Sequence, residues 1–136
     1  MAQSYRIKPP MGPDNAWWWE RAQAGELAIQ RCKGCQTLRH PPRPMCGECN
    51  SMEWDHVASS GKGTVCSFTT LHHPQFPGYE YPLIIVLADL EEGTRFTAQL
   101  RDCAPEDVRF GMPVEMVIHE DPDGFKLPVF RPAGGK

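Results

Sequence analysis

Four cysteines carry the clearest chemistry in this chain. Cys32-Lys33-Gly34-Cys35 and Cys46-Gly47-Glu48-Cys49 each hold two residues between their cysteines, and ten residues separate the pairs. A two-residue spacer bends the backbone into a knuckle that aims both sulfurs at one point. Two knuckles joined by a hairpin supply four thiolates, the tetrahedral set that Zn2+ accepts without electronic preference. Iron fits the same cage, so spacing alone leaves both metals open. With every ligand drawn from the protein, no position remains for water or substrate. The expected metal is therefore structural, and zinc hydrolysis is not expected. Thiolate ligands need a reducing compartment, which points to the cytoplasm.

Other reactive residues form weaker patterns. His72-His73-Pro74 follows a predicted strand and reads as a polar loop, with no serine or cysteine beside it in a nucleophile motif. Cys66 and Cys103 lie in or beside apolar strands, where a free thiol behaves as a small hydrophobe. Asp121 and Asp123 begin like a calcium loop, but the glutamate it needs downstream is missing, so they read as a turn. Gly61-Lys62-Gly63-Thr64 lacks the spacing of a phosphate loop. No constellation makes the chain catalytic by itself.

Charge narrows the partners. The 136 residues carry a net charge of −3, unevenly spread. Residues 1–68 hold 8 Lys/Arg against 6 Asp/Glu, and residues 69–136 hold 6 against 11. A general polynucleotide binder shows a broad basic face instead. The basic character here is local: Arg31, Lys33, Arg39, His40 and Arg43 crowd around the knuckles. They form either a solvated hairpin surface or contacts for a small phosphate-bearing ligand or an acidic partner, with Arg39, Arg43 and Lys62 as the candidate phosphate contacts. The longest apolar run, Leu83 to Ala88, is too short to span a bilayer.

The elements that must position these residues follow from local pattern. Pro9, Pro10 and Pro13 make residues 1–13 an extended arm. Asp14 or Asn15 can cap a following helix, and Gly25 can end it. That helix carries Trp17-Trp18-Trp19. At about 100° per residue the three indoles fan over about 200°, wider than one core-facing stripe. Either the arm and ribbon cover the surplus, or at least one indole meets a partner. Leu27 and Ile29 mark a strand into the first knuckle, Thr37–His40 a return strand, and Pro41-Pro42-Arg43-Pro44 an extended path. Strands are predicted over Val65–Leu71, Leu83–Leu87, Phe96–Leu100, Val114–Ile118 and Phe125–Phe130, with a helical turn at Pro105-Glu106-Asp107. Five short strands with an excursion after the third suit a small Greek-key barrel of OB type.

Several of these parts occur together in one known family. The tryptophan-bearing helix, Gly25-Glu26-Leu27, the paired knuckles around Pro41-Pro42-Arg43, Ser60-Gly61-Lys62-Gly63-Thr64, Ser67-Phe68-Thr69 and Pro128-Val129-Phe130-Arg131-Pro132 resemble domain-of-unknown-function family thirty-five. The resemblance covers residues 15 to 132. Gln36 and Asn50 depart from it, standing where a glycine is frequent after each knuckle. It implies a mainly β chain divided into an arm and helix (1–26), a rubredoxin-like zinc ribbon (27–56) and a five-stranded OB-fold barrel (57–136). It also implies an accessory subunit, in a heterotetramer or larger assembly, rather than a stand-alone enzyme. Members accompany thiolase-superfamily proteins: thiolases, acyltransferases and retro-aldolases that shorten steroid side chains. Others accompany MaoC-like enoyl-CoA hydratases. The implied ligand is a CoA thioester, and only the four cysteines carry over residue by residue. A single-stranded nucleic-acid binder is the alternative that the fold allows.

Overall fold

The computed structural model describes residues 6–134; the first five residues of the predicted arm and the last two of the barrel segment lie outside the described residues. One helix, α1 (Ala16–Gln23), precedes eight strands. Its start differs from expectation. Asn15 occupies the cap position without a side-chain cap bond. Its amide turns back to the arm instead, accepting from the Gly12 N–H at 2.7 Å and donating to the Pro10 carbonyl at 3.1 Å. The helix end follows the sequence reading. Gly25 has φ +88°, and the N–H groups of Gly25 and Glu26 donate to the carbonyls of Ala22 and Arg21, both at 2.9 Å. That pair of bonds is a Schellman motif, which satisfies carbonyls the helix leaves open.

Strands β1 (Ala28–Cys32), β2 (Leu38–Arg39) and β3 (Trp54–Ala58) form an antiparallel sheet in the order β2-β1-β3. The central strand β1 buries Ala28, Ile29, Gln30 and Cys32. The return strand is only two residues long. Proline at positions 41 and 42 has no N–H to continue the ladder. The sheet runs two residues past the expected boundary at 56, because β3 pairs with β1 as far as Ala58.

The remaining strands are β4 (Lys62–Leu71), β5 (Leu83–Leu90), β6 (Arg95–Leu100), β7 (Pro113–Glu120) and β8 (Lys126–Pro132). They close a barrel in the order β4-β5-β6-β8-β7, with the 3-10 turn Pro105–Asp107 between β6 and β7. Strands β6 and β8 run parallel and every other neighbouring pair antiparallel. This is the five-stranded OB topology. Closure happens where Lys62, Gly63 and Thr64 meet Glu115, Val114 and Pro113. Gly63 is required there, since a Cβ would lie 2.6 Å from the Asp89 carbonyl oxygen. An irregularity between Val65 and Ser67 lets β4 bend to serve both neighbours.

The barrel interior holds Val65, Val86, Ala88, Leu90, Phe96, Val114 and Phe130, and it is continuous with Trp18, Ala22, Ala28 and Ile29. Helix, ribbon and barrel thus share one core. The arm is strapped over that joint. The Arg6 guanidinium donates to Asp121 at 3.0 Å and to Gln99 at 3.2 Å, and Lys8 pairs with Asp123. No helix among the described residues is long and apolar enough to cross a membrane.

Candidate metal centre and adjoining surfaces

The two knuckles are built alike, bond for bond. The N–H of Gln36 donates to the Cys32 carbonyl, and that of Asn50 to the Cys46 carbonyl, each at 3.0 Å. The N–H groups of Cys32 and Cys46 donate to the carbonyls of Thr37 and Ser51, each at 2.9 Å. Within each loop a backbone N–H points at sulfur: Gly34 to Cys32 at 3.2 Å and Glu48 to Cys46 at 3.4 Å. Such bonds favour thiolates. Gln36 and Asn50, the departures from glycine, adopt φ of 68° and 65°. The turn therefore demands the left-handed region whichever residue stands there.

The four sulfurs lie within 4.8 Å of one another, with Cys32 to Cys49 at 3.5 Å and Cys35 to Cys46 at 3.6 Å. Tetrahedral zinc with bonds of about 2.3 Å separates its sulfurs by about 3.8 Å, so the cage fits. All six cysteines are free thiols. The electrostatics point the same way. The backbone N–H of Cys35, ahead of the other donors, holds the Cys32 thiol down to about 6. Cys49 receives a favourable bond from the Ser51 N–H, yet the sulfurs of Cys32 and Cys35 push it up to about 12. Four sulfurs this close cannot all ionise until a cation sits among them. Bound there, the metal supplies a cross-link between the two knuckles. Gly34 keeps the cage open, since a Cβ would meet Cys49 Sγ and Ser51 Cβ at 3.2 Å.

The predicted ligand contacts are not brought together. Arg39 is 4% exposed, and its guanidinium donates twice to the Arg43 carbonyl, at 3.1 and 2.8 Å. The Arg43 N–H in turn donates to the buried Gln30 amide oxygen at 2.9 Å. Arg39 is thus an internal brace for the Pro41–Pro44 path, which corrects its expected place at the surface. The side chain of Arg43 is exposed on the ribbon, and Lys62 is exposed at the barrel closure. His72 and His73 stand on the exposed loop between β4 and β5.

The three indoles separate cleanly. Trp18 is 4% exposed; its ring lies 4.9 Å from Trp19, 5.6 Å from His40 and 5.7 Å from Phe96, and its N–H donates to the Ala28 carbonyl at 2.7 Å. That burial removes it from the expected docking set. Trp17 packs on Trp54 of the ribbon at 4.7 Å, and Trp19 on Phe125 beside the barrel at 5.5 Å. Both keep part of their surface in solvent.

Sequence reasoning passed over two features. Asp121, taken as a turn residue, is 6% exposed and holds Arg6 and His119, the latter at 3.2 Å. His40, taken as part of a basic surface, stacks on Phe96 at 4.4 Å, and burial lowers its pKa to about 4. Its position between a strand residue and Pro41-Pro42 was the only local hint.

The chain matches two family descriptions in tandem: the ChsH2 rubredoxin-like zinc ribbon domain over residues 19–55 and the ChsH2 C-terminal OB-fold domain over residues 56–119. A probable enoyl-CoA hydratase alpha subunit from Thermomonospora curvata is 44% identical over 96% of this chain. The 3-oxo-4,17-pregnadiene-20-carboxyl-CoA hydratase alpha subunit of Mycobacterium tuberculosis is 41% identical over 86% of it. The chain spans only 41% and 37% of the lengths of these two relatives. A solved structure described as the Ltp2-ChsH2(DUF35) aldolase superposes with a TM-score of 0.88 at 45% identity, covering 93% of this chain and 99% of that one. Ribbon, barrel and the joint between them all find counterparts, so the chain belongs to the ChsH2-type DUF35 family of zinc ribbons fused to OB-fold barrels.

Proposed function

We propose that this chain is the accessory subunit of a thiolase-fold enzyme acting on acyl-CoA, such as a retro-aldolase that shortens steroid side chains. The observation that carries this reading is the match, over 93% of this chain and 99% of that one, to a chain of the structure described as the Ltp2-ChsH2(DUF35) aldolase. In this reading the metal has no part in bond-making. The Cys32, Cys35, Cys46 and Cys49 cage fixes the ribbon, the ribbon and α1 form one face, and that face meets the catalytic subunit. Trp17 and Trp19 are the docking indoles of choice, since both are partly exposed and rigidly held by aromatic neighbours. Arg43 and Lys62 are the exposed cations available to CoA phosphates. The complex works in the cytoplasm, where the thiolates stay reduced.

Co-expression with the Ltp2 component of that aldolase, followed by size-exclusion chromatography, tests the assignment. Stable co-elution and gain of acyl-CoA cleavage support it. Separate elution, or turnover by this chain alone, overturns it. The hydratase alpha subunits give a second reading its own support, because this chain would be one segment of such a longer protein. Stable association with a MaoC-like hydratase in place of Ltp2 would favour that reading.

A further inference from the structure

A cleft of about 350 Å³ opens where α1, the His40-Pro41-Pro42 segment and strands β6 and β8 converge. Its walls are Trp18, Trp19, Phe96, Pro42 and Leu127, with Arg6, Asn15 and Gln99 also lining it. This volume and this lining are those of a small-molecule site, apolar with a few fixed polar groups. Charge selects against an anion. Arg6, the one cationic side chain lining the cleft among the described residues, is already held by the buried Asp121 and by Gln99. Asn15 is likewise engaged with the arm.

His40 differs from these groups. Its ring makes no side-chain hydrogen bond to another described residue. The residue itself lines the open volume. Stacking on Phe96 at 4.4 Å fixes the plane of the ring. A polar ring held in a fixed plane at the wall of an apolar cleft, with no side-chain hydrogen bond among the described residues, is set up to bind one complementary atom.

We propose that this cleft binds a neutral, apolar, ring-sized ligand carrying one hydrogen-bonding oxygen, which the His40 imidazole holds while the indoles and Phe96 enclose the hydrocarbon. The inference is separate from the CoA assignment, because it concerns an uncharged group and residues other than Arg43 and Lys62. The zinc ribbon acquires a second role here, since it positions the His40-Pro41-Pro42 wall.

The test is titration of the zinc-loaded chain, followed by indole and imidazole NMR shifts, with three matched probes: 1-tetralone, tetralin and 1-naphthoate. Saturable shifts at Trp18, Trp19 and His40 are expected with 1-tetralone. Tetralin, lacking the oxygen, should bind about fivefold more weakly, the worth of one hydrogen bond. 1-Naphthoate should bind more weakly than 1-tetralone. Ala98→Leu, which fills the cleft from β6, should abolish the shifts, and His40→Phe should make 1-tetralone and tetralin equal. No saturable 1-tetralone binding by the folded parent, or binding unchanged by Ala98→Leu, overturns the site. Equal affinity of the parent for 1-tetralone and tetralin overturns the role of His40, and preference for 1-naphthoate overturns the ligand class.

Discussion

Trp18→Ala tests the claim that helix, ribbon and barrel share one core. The indole is buried against Trp19, His40 and Phe96, which belong to all three parts, and its N–H donates to Ala28. Truncating a buried aromatic costs about 3–5 kcal/mol, and the lost bond to Ala28 places this case near about 4 kcal/mol. Unfolding entropy runs at roughly 2.1 cal/mol/K per residue, or roughly 0.29 kcal/mol/K for 136 residues. The melting midpoint should therefore fall by about 14 °C. Trp17→Ala and Trp19→Ala remove rings that are partly solvated already, and should lower it by less than about 7 °C. Calorimetry on zinc-loaded protein is the assay, paired with capture of the proposed catalytic partner. Loss of one docking indole should weaken capture by at least about 30-fold, equivalent to about 2 kcal/mol. A Trp18→Ala midpoint within about 3 °C of the parent would refute the shared core. So would an equal fall in all three variants.

Further outcomes follow from the cage and the cleft. Metal analysis should find one zinc per chain; Cys46→Ser should lose it, while Cys66→Ser and Cys103→Ser keep it. Gly34→Ala should weaken zinc retention against a chelator, because its Cβ presses on Cys49 and Ser51, whereas Gly47→Ala meets nothing within 4 Å and should be silent. His40, lowered to about 4 by burial, contributes fully to stability above its unfolded value of about 6.5, and that contribution is lost as pH falls toward 4. At pH 5 the parent should have lost about 2 kcal/mol through this group. The melting curve of His40→Phe should lack that loss, with acid release of zinc common to both. Burial also favours Cys103 as a neutral thiol, so alkylation at neutral pH should be slow there.

Local signals were enough for the parts and insufficient for their joints. The cage was legible because two-residue spacers fix knuckle geometry without help from the rest of the chain. The barrel strands were legible because alternation at Phe96, Ala98 and Leu100 marks a half-buried strand by itself. The fate of the indoles was not, since helical angles give the spread of three rings and say nothing about what covers them. Trp54 and Phe125, which do so, lie 37 and 106 residues downstream of Trp17 and Trp19. The strap from Arg6 to Asp121 spans 115 residues and leaves no mark in either neighbourhood. Arg39 misled for a related reason. Its charge suggested solvent, but the proline path it braces has few N–H groups to hold itself, and a buried guanidinium supplies them.

Obligate partnership is the central element of the proposed function. Sedimentation of this chain mixed with the Ltp2 component of the matched aldolase, with acyl-CoA cleavage assayed on the same samples, tests it most directly. A single heavier species that alone shows turnover is the predicted result. Two unassociated species, with cleavage unchanged by this chain, would contradict it.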